Sequence, residues 1–343
     1  MHILLLLDYR FQFFSSSLQR GYGLDILRIC TELERLRYTV SVKQFGEIDF
    51  QNANYKGVFV LYQSSEDTAL KYKDYIEDVL LGLTLQGAIL VPRLDYFRAH
   101  HNKVYMEILR AVLGNDSVKT LTSQCFGTYE EYEKFCVHKT FPIVFKPSAG
   151  ARSHEVLIAR NQKEADVCAR KLSATPSLFN LALLWKNRFD RKGFLPISNH
   201  RQKFIVQPYI PNLAGDYKIL VYGEKYFVLF RENRPNDFRA SGGGRLSFPK
   251  VVSAEILHFA KQVYENFSAP FISIDVGYDD SVCYLFEFQF VLFGQYAIEQ
   301  SEWHYEQTES SWIRVDGRSV AEKELAKSAH YHIQKIKEVS YGA

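Results

Sequence analysis

The sequence predicts a mixed α/β protein, with a small parallel α/β domain followed by a larger α+β region. Residues 1 to about 98 alternate apolar strand patterns with helix patterns, which is typical of a parallel sheet. The later chain adds two pairs of strands joined by tight turns, which indicates antiparallel hairpins. The 343 residues, 47% of them hydrophobic, are enough for two or three structural units with real cores.

The first strand, 2–8, is apolar almost throughout, as a parallel strand covered on both faces is. Between the predicted strands, apolar residues recur at the spacing of one helix face, and Gly87 ends the second helix. The predicted strands span 2–8, 39–45, 57–63 and 88–94, and the helices span 21–38 and 74–87.

The later elements follow from the same patterns. The predicted helices span 101–114, 129–140, 162–173, 253–267 and 319–339, with Ser253 as the N-cap of the fourth. Two strands lie within 141–160 and one at 203–210, and hairpins are predicted at 217–233 and 271–293.

Composition excludes several classes of protein. The net charge of +3 is too small to indicate nucleic-acid binding. The five cysteines are far apart and form no CxxC pair, so we expect neither disulfides nor a zinc site. We expect the protein to be located in the reducing cytoplasm. The apolar start has no basic residues before it and is stopped by Asp8, which predicts a buried strand rather than a signal peptide. No apolar stretch reaches 18 residues, so no membrane span is expected.

The second hairpin carries carboxylates in an apolar context. In the segment YLFEFQF, strict alternation puts Leu285, Glu287 and Gln289 on one face and the phenylalanines on the other. The partner strand offers Asp275, which a tight hairpin brings close to Glu287 or Gln289. Two carboxylates and an amide oxygen suit Mg²⁺. The alternative is a buried carboxylate held by an arginine or by backbone amides.

The first hairpin is rich in cations. Asp216 and Lys218 share a strand face, and Arg231, Arg234 and Arg239 follow on and after the return strand. Guanidinium groups suit carboxylates and phosphates, and the glycines at 242–244 let the backbone approach a ligand closely. The alternative is a solvated hairpin with a flexible tip.

Lys146 lies near the end of an apolar strand and is followed by the small-residue loop 148–151. A lysine on a buried strand is costly unless an anion neutralises it. With Arg152 and Ser153, the loop would form a phosphate cradle. The commoner alternative is a lysine that ends a strand at the solvent edge.

The order of these three constellations resembles the ATP-grasp superfamily, and within it the branch of ribosomal-protein glutamate ligases. The resemblance covers about residues 100–300. It implies an N-terminal α/β domain at 1–98, a lid and central subdomain at 99–205, and a C-terminal subdomain at 206–343.

The resemblance also assigns roles to residues. The positions implied to bind ATP are Lys103, Lys146, Ser148, Gly150, Arg152, Ser153, Gln207, Ile210 and Asp216. Those implied to be catalytic are Lys218, Arg231 and Arg239, of which Arg231 would steady the transferred phosphoryl group or acyl phosphate. Those implied to hold Mg²⁺ are Asp275, Glu287 and Gln289. Two positions depart from the family pattern: Gln289 replaces an asparagine, and the phosphate loop carries a single glycine, Gly150.

The activity that the resemblance implies is an ATP- and Mg²⁺-dependent carboxylate–amine ligase that acts through an acyl phosphate and releases ADP and phosphate. The substrates would be small molecules or peptides, and homodimers are common in the superfamily. We expect the acceptor near Tyr9, Arg10, Gln63 and the glycine loop. The basic stretch 186–203 either helps to bind an acidic or polymeric acceptor or is simply solvated. The alternatives are a kinase of a small hydroxyl compound and a nucleotide-binding protein without turnover.

Overall fold

The structure, a computed structural model, has two compact units. The first comprises Met1–His100, Leu113–Thr120 and Leu213–Ala343, and the second comprises His101–Val112 and Leu121–Asn212. The residues that the structure describes are 1–15, 23–138, 140–150, 155–175, 177, 179, 182–183, 185–186, 197–234, 237, 239, 245–309 and 311–341. The three domains implied by the sequence resemblance stay a prediction.

The first unit begins with a four-stranded parallel sheet in the order β2-β1-β3-β4. Its central strand β1 is buried from Ile3 to Leu7, which explains why every residue after the exposed His2 is apolar. The strands are β1 His2–Leu7, β2 Thr39–Gln44, β3 Phe59–Leu61 and β4 Ile89–Val91, and the helices are α1 Ile26–Arg35, α2 Lys71–Leu85 and α3 Leu94–Ala99. The predicted parallel α/β arrangement is confirmed.

The first unit also contains a seven-stranded antiparallel sheet. Its order is β13-β12-β9-β10-β14-β15, and the short β11 pairs with β10. Its strands are β9 Gly215–Tyr222, β10 Lys225–Glu232, β11 Leu246–Ser247, β12 Phe271–Tyr278, β13 Cys283–Gln289, β14 Trp303–Gln307 and β15 Trp312–Asp316. The helices that accompany it are α7 Ala254–Phe267, α8 Tyr296–Gln300 and α9 Ala321–Tyr341. Both predicted hairpins are present, whereas the pair β14–β15 was not predicted.

One apolar core serves both sheets of the first unit. It joins Leu5 of the parallel sheet to Leu220 and Phe271 of the antiparallel sheet and to Leu325 of α9, all at most 1% exposed. Burial of this kind stabilises the fold by about 1.5–3 kcal/mol for each large apolar side chain. The antiparallel sheet therefore cannot change its register without disturbing this shared core.

The second unit is built on a four-stranded antiparallel sheet in the order β5-β8-β6-β7. Its strands are β5 Gln124–Phe126, β6 Ile143–Pro147, β7 Leu157–Ala159 and β8 Phe204–Pro208. Helices α5 Tyr129–Phe135 and α6 Gln162–Ser173 pack on the face of Phe145 and Phe204. Helix α4 Lys103–Leu113 contacts the other face, where Cys125 Sγ lies 3.7 Å from the carbonyl oxygen of Val104.

Within the described ranges, no helix combines the length and the apolar character that crossing a membrane requires.

The entry to strand β9 tolerates no side chain. A Cβ on Gly215 would lie 2.1 Å from the carbonyl oxygen of Arg231 on β10. We predict that Gly215→Ala lowers the free energy of unfolding by about 1–3 kcal/mol, because the two strands must separate. Urea denaturation measures the change.

Gly46→Ala is the control, since its new Cβ would meet its nearest atom, Tyr75 Oη, at 4.0 Å. Equal stability of the two variants would contradict the close approach of β9 and β10.

Candidate active site

A row of charged side chains crosses four strands of the antiparallel sheet. The register places Asp216 opposite Arg231, Lys218 opposite Asp275, and Asp275 opposite Glu287. Residues opposite each other point to the same face, as do residues two apart on one strand, so all five side chains share one face. We call Asp216, Lys218, Arg231, Asp275 and Glu287 the charged row.

Arg231 is the centre of this row. Its Nε and Nη2 donate to the two carboxylate oxygens of Asp216 at 2.6 and 2.7 Å. Its Nη2 also lies 2.7 Å from Asp275 Oδ2. The side chains of Asp216, Arg231 and Asp275 are 12%, 10% and 17% exposed, so the three charges compensate one another in a largely buried setting.

Lys218 occupies the next position along the row. Its Nζ donates to Ser273 Oγ at 2.8 Å and lies 3.5 Å from Asp275 Oδ1. Ser273 was missed in the sequence analysis, although it precedes Asp275 by two residues and therefore shares its face. Asp275 is thus held between two cations.

These contacts shift the pKa values of two members of the row, Arg231 and Asp275, toward their charged forms. Burial disfavours the charged form of Arg231, but Asp275 and Asp216 outweigh it and raise the pKa of the guanidinium. Burial also opposes ionisation of Asp275, but Arg231 and Lys218 outweigh it and lower the pKa of the carboxyl to about 2. At neutral pH Asp275 is therefore a carboxylate, suited to bind cations rather than to accept a proton.

The strand that carries Glu287 departs from strict alternation. Asp275 pairs with Glu287, but the next residue, Val276, pairs with Leu285, so Phe286 is an extra residue on β13. A β-bulge of this kind puts flanking residues on opposite faces. The predicted placement of Leu285 on the face of Glu287 is therefore wrong; Leu285 is fully buried.

The oxygen-bearing groups beside the bulge match the predicted metal site in chemistry. Asp275 and Glu287 face each other, and Gln289 Nε2 donates to Glu287 Oε1 at 3.1 Å, which leaves the amide oxygen of Gln289 as a further acceptor. Carboxylate and amide oxygens are the ligands that Mg²⁺ takes in proteins. The donor set therefore fits Mg²⁺.

Arg239 is held by an ion pair with Asp237, two residues before it. Its Nε lies 3.0 and 2.9 Å from the two carboxylate oxygens of Asp237, and its Nη2 lies 2.7 Å from Asp237 Oδ2. The glycines at 242–244, predicted to let a ligand approach, lie outside the described residues.

In the second unit, Lys103 is joined to the segment that follows β6. Its Nζ donates to the carbonyl oxygen of Gly150 at 3.1 Å, and its backbone N–H donates to the carbonyl oxygen of Ser148 at 2.8 Å. Ser148 Oγ in turn lies 3.1 Å from Asn102 Oδ1. Gly150 has a φ of +128°, a backbone conformation that residues with a side chain rarely adopt. Lys103, Ser148 and Gly150 therefore form one local cluster.

Lys146 and Gln207 share the face of the sheet that α4 covers. Gln207 is opposite Val144, two residues before Lys146, and these positions face away from the buried Phe145. Gln207 Nε2 donates to Ser123 Oγ at 2.6 Å and lies 3.5 Å from Glu107 Oε1. Its side chain is therefore held by protein. The backbone of this segment is also engaged in part, since Gln207 and Pro208 pair with β6 and the N–H of Tyr209 donates to the carbonyl oxygen of Pro142 at 3.3 Å.

The remaining predicted positions are placed as follows. Ile210 is half-buried just beyond β8. Arg152 and Ser153, predicted for the phosphate loop, lie outside the described residues, as does most of the basic stretch 186–203. Sequence reasoning missed the buried pair Glu107 and Arg110, whose Oε2 and Nε are 3.1 Å apart. Their spacing of three residues on α4 was the available signal.

Comparison with known proteins supports the fold assignment. No protein-family model and no curated protein matches the sequence. Among solved structures, D-cycloserine synthetase DcsG matches with a TM-score of 0.58 at 12% identity, over 97% of this chain and 100% of that one. The ADP complex of purK, N5-carboxyaminoimidazole ribonucleotide synthetase, matches with a TM-score of 0.52 at 11% identity, over 88% and 73%.

A third match is the ATP-grasp ligase PsnB complexed with a minimal precursor, with a TM-score of 0.50 at 10% identity, over 96% of this chain and 98% of that one. These proteins share the architecture described above, and at such identities the likeness concerns the fold. The chain has the ATP-grasp fold, as its sequence predicted.

The charged row makes stability depend on pH in a defined direction. Because the pKa of Asp275 is lowered to about 2, its ionisation stabilises the fold above the ordinary aspartate range, and this contribution is lost as pH falls from about 4 to about 2. We predict that Asp275→Asn lowers the free energy of unfolding by about 2 kcal/mol at pH 7. The difference from the wild type should shrink below pH 4 in urea denaturation.

Asp78→Asn, an exposed position on α2, is the matched control and should change the free energy of unfolding by less than about 0.5 kcal/mol. A difference between wild type and Asp275→Asn that stays constant down to pH 2.5 would contradict the buried ion pair.

Proposed function

We propose that the protein is an ATP- and Mg²⁺-dependent ligase that joins a carboxylate to an amine. The observation that carries the proposal is the charged row, in which two fixed cations lie beside oxygen groups suited to a divalent ion. Charges arranged before substrates arrive are what phosphoryl transfer requires, because the chemistry consists mainly of positioning and charge neutralisation. The neighbouring ATP-grasp structures, purK with ADP among them, support the choice of nucleotide.

In this proposal, residues of the second unit bind ATP. Lys103 and Lys146 neutralise phosphate charge, and the segment of Ser148 and Gly150 offers backbone groups to the phosphates. The backbone at Gln207 and Ile210 binds the adenine. Arg152 and Ser153 are proposed to complete the phosphate loop. Asp216, which the resemblance implies to contact ATP, belongs to the first unit and is paired there with Arg231.

The metal and the transferred phosphoryl group are assigned to the first unit. Asp275, Glu287 and Gln289 would hold Mg²⁺, which when bound supplies positive charge to the phosphate oxygens. Arg231 and Lys218 are proposed to stabilise the negative charge of the transferred group, with Arg239 as a further cation. With its three carboxylates ionised and its two cations, the charged row carries one net negative charge, so a bound divalent cation would give it net positive charge toward a phosphoryl group.

The proposed reaction has two steps. A substrate carboxylate oxygen attacks the γ-phosphorus of ATP, the bond to the ADP oxygen breaks, and an acyl phosphate forms. An amine then attacks the acyl carbon, the C–N bond forms, and phosphate leaves while the amine loses a proton to the medium. The first step is needed because a free carboxylate has no good leaving group.

We propose a cytoplasmic reaction on small-molecule or peptide substrates. That the protein is a homodimer stays a prediction.

Lys146 offers a direct test of nucleotide binding. We predict that Lys146→Ala weakens binding of a non-hydrolysable ATP analogue by about 10- to 100-fold, because a charge-assisted contact worth about 1.5–3 kcal/mol is lost. Isothermal titration calorimetry measures the affinity, and circular dichroism confirms folding.

Lys163→Ala, an exposed lysine on α6 of the same unit, should keep the wild-type affinity. Unchanged affinity in Lys146→Ala would count against the proposed nucleotide site.

Glu287 tests the metal assignment. We predict that Glu287→Gln, which keeps the shape but loses the charge, raises the Mg²⁺ concentration for half-maximal ADP release by about 10-fold or more, since about 1.4 kcal/mol of binding is lost. Glu224→Gln, at the exposed turn between β9 and β10, is the control. Identical Mg²⁺ curves for the two variants would refute a metal role for Glu287.

Product analysis separates the proposal from its alternatives. A ligase should release ADP steadily only when a carboxylate and an amine are both present. A kinase of a hydroxyl compound would need one substrate, and a protein that only binds nucleotide would release no ADP with any acceptor.

A further inference from the structure

The loop that follows β1 stands at the carboxyl end of the parallel sheet. In open parallel sheets, ligands bind at this edge, because loops from neighbouring strands converge there. The loop comprises Asp8–Ser15, and we call it the β1 loop. It lies wholly within the first unit.

Asp8 fixes the shape of the β1 loop. It is 3% exposed, and its carboxylate accepts from the backbone N–H groups of Arg10 and Gln12 at 2.8 and 3.0 Å. The end of β3 adds a second clamp: Gln63 Nε2 donates to the carbonyl oxygen of Gln12 at 3.0 Å, and Gln63 Oε1 accepts from the backbone N–H of Ser15 at 3.3 Å. The loop is therefore rigidly built.

The clamps hold a conformation that the chain would otherwise avoid. Phe11 and Phe14 both have a φ of +56°, in the left-handed region. For bulky residues this costs about 1–2 kcal/mol each. Such backbone strain persists only where the surroundings impose it, and it clusters at ligand sites.

The strained loop exposes apolar rings. Tyr9 and Phe11 are 66% and 61% exposed. The ring of Tyr9 meets that of Tyr72 edge-on at 5.1 Å, and Tyr72 stacks with Tyr75 at 5.8 Å, so the aromatic surface continues onto α2. Exposed aromatic surface on a rigid loop favours binding of another apolar group.

Arg10, between Tyr9 and Phe11 in sequence, adds a polar group, and its guanidinium carbon lies 5.7 Å from the centre of the Tyr9 ring. Its Nε and Nη2 donate to Asp8 Oδ2 at 2.8 and 2.6 Å, and Nη2 also donates to the carbonyl oxygen of Ser15 at 3.2 Å. Among the described residues, Nη1 makes no hydrogen bond, and the side chain is 40% exposed. Because Asp8 compensates the charge of Arg10, the pair suits one carboxylate better than a polyanion such as phosphate.

The β1 loop is anchored to the strand that carries Asp275. Phe14 packs edge-on against Phe271 and Phe293 at 5.7 and 5.6 Å. Phe271 begins β12 and precedes Asp275 by four residues, which is about 13 Å of strand. The β1 loop and the proposed metal ligand Asp275 are thus tied to the same strand.

We propose that the β1 loop binds the amine-bearing substrate, and that this substrate is an aromatic amino acid. Its ring packs on Tyr9 and Phe11, and its carboxylate accepts hydrogen bonds from Arg10 Nη1. The role as amine acceptor rests on the proposed ligase function, whereas binding of the amino acid to the loop does not.

Three ligands test the recognition on the full chain: L-phenylalanine, L-alanine, which lacks the ring, and phenethylamine, which lacks the carboxylate. We expect calorimetry to show binding of L-phenylalanine at least about 10-fold tighter than of the other two, since each loses about 1.4 kcal/mol or more. Tyr9→Ser and Arg10→Met should each weaken L-phenylalanine binding by a similar factor and leave binding of the ATP analogue unchanged.

Tyr331→Ser is the matched control for Tyr9→Ser, because Tyr331 on α9 is 61% exposed and Tyr9 is 66% exposed. No binding of L-phenylalanine, equal binding of the three ligands, or equal affinity in Tyr9→Ser and Tyr331→Ser would overturn the inference. Binding of L-phenylalanine without any binding of nucleotide would instead refute the proposed ligase function and leave the site of recognition standing.

Discussion

The site in the first unit depends on the contact of Arg231 with two carboxylates. Burying charges costs several kcal/mol for each ion unless partners with good geometry compensate them. Asp216 accepts hydrogen bonds from Nε and Nη2 of Arg231, and Asp275 also contacts Nη2. None of these three charged side chains is therefore buried without a partner of opposite charge. Removal of one member would leave an uncompensated charge, which is why the register of β9, β10 and β12 matters to the chemistry.

Because of the same contact, the members of the charged row differ in how they could bind a cation. Arg231 and Lys218 already hold Asp275, so a bound cation would share its carboxylate with them. Glu287 and Gln289, one strand further out, lie on the other side of Asp275 from Lys218. Glu287 and Gln289 therefore stand at one end of the row, whereas the carboxylates of Asp275 and Asp216 alternate with the cations Lys218 and Arg231.

Much of the fold could be predicted because its signals are local. Strand β1 is apolar from Ile3 to Leu7 since both of its faces are covered, and the turn at Asp279 and Asp280 identifies the hairpin that sets Asp275 opposite Glu287. Strands β14 and β15 were missed although a signal was available, because Trp303, Tyr305, Ile313 and Val315 alternate with polar residues at the period of a strand.

The rest of the site depends on contacts that are distant in sequence. Lys218 meets Ser273 and Asp275 because β9 pairs with β12, about fifty residues further along, and no local pattern sets that register. The bulge at Phe286 could not be predicted either, since an alternating sequence looks the same with and without an extra residue. In the second unit, the contact of Lys103 with Gly150 likewise joins separate segments.

The most direct measurement is an anomalous difference map from a crystal grown with Mn²⁺ and a non-hydrolysable ATP analogue. The account predicts a metal peak within coordination distance of carboxylate oxygens of Asp275 and Glu287, with a phosphate oxygen of the nucleotide completing the shell. A bound nucleotide whose metal contacts neither carboxylate, or a crystal that binds no nucleotide at all, would contradict it.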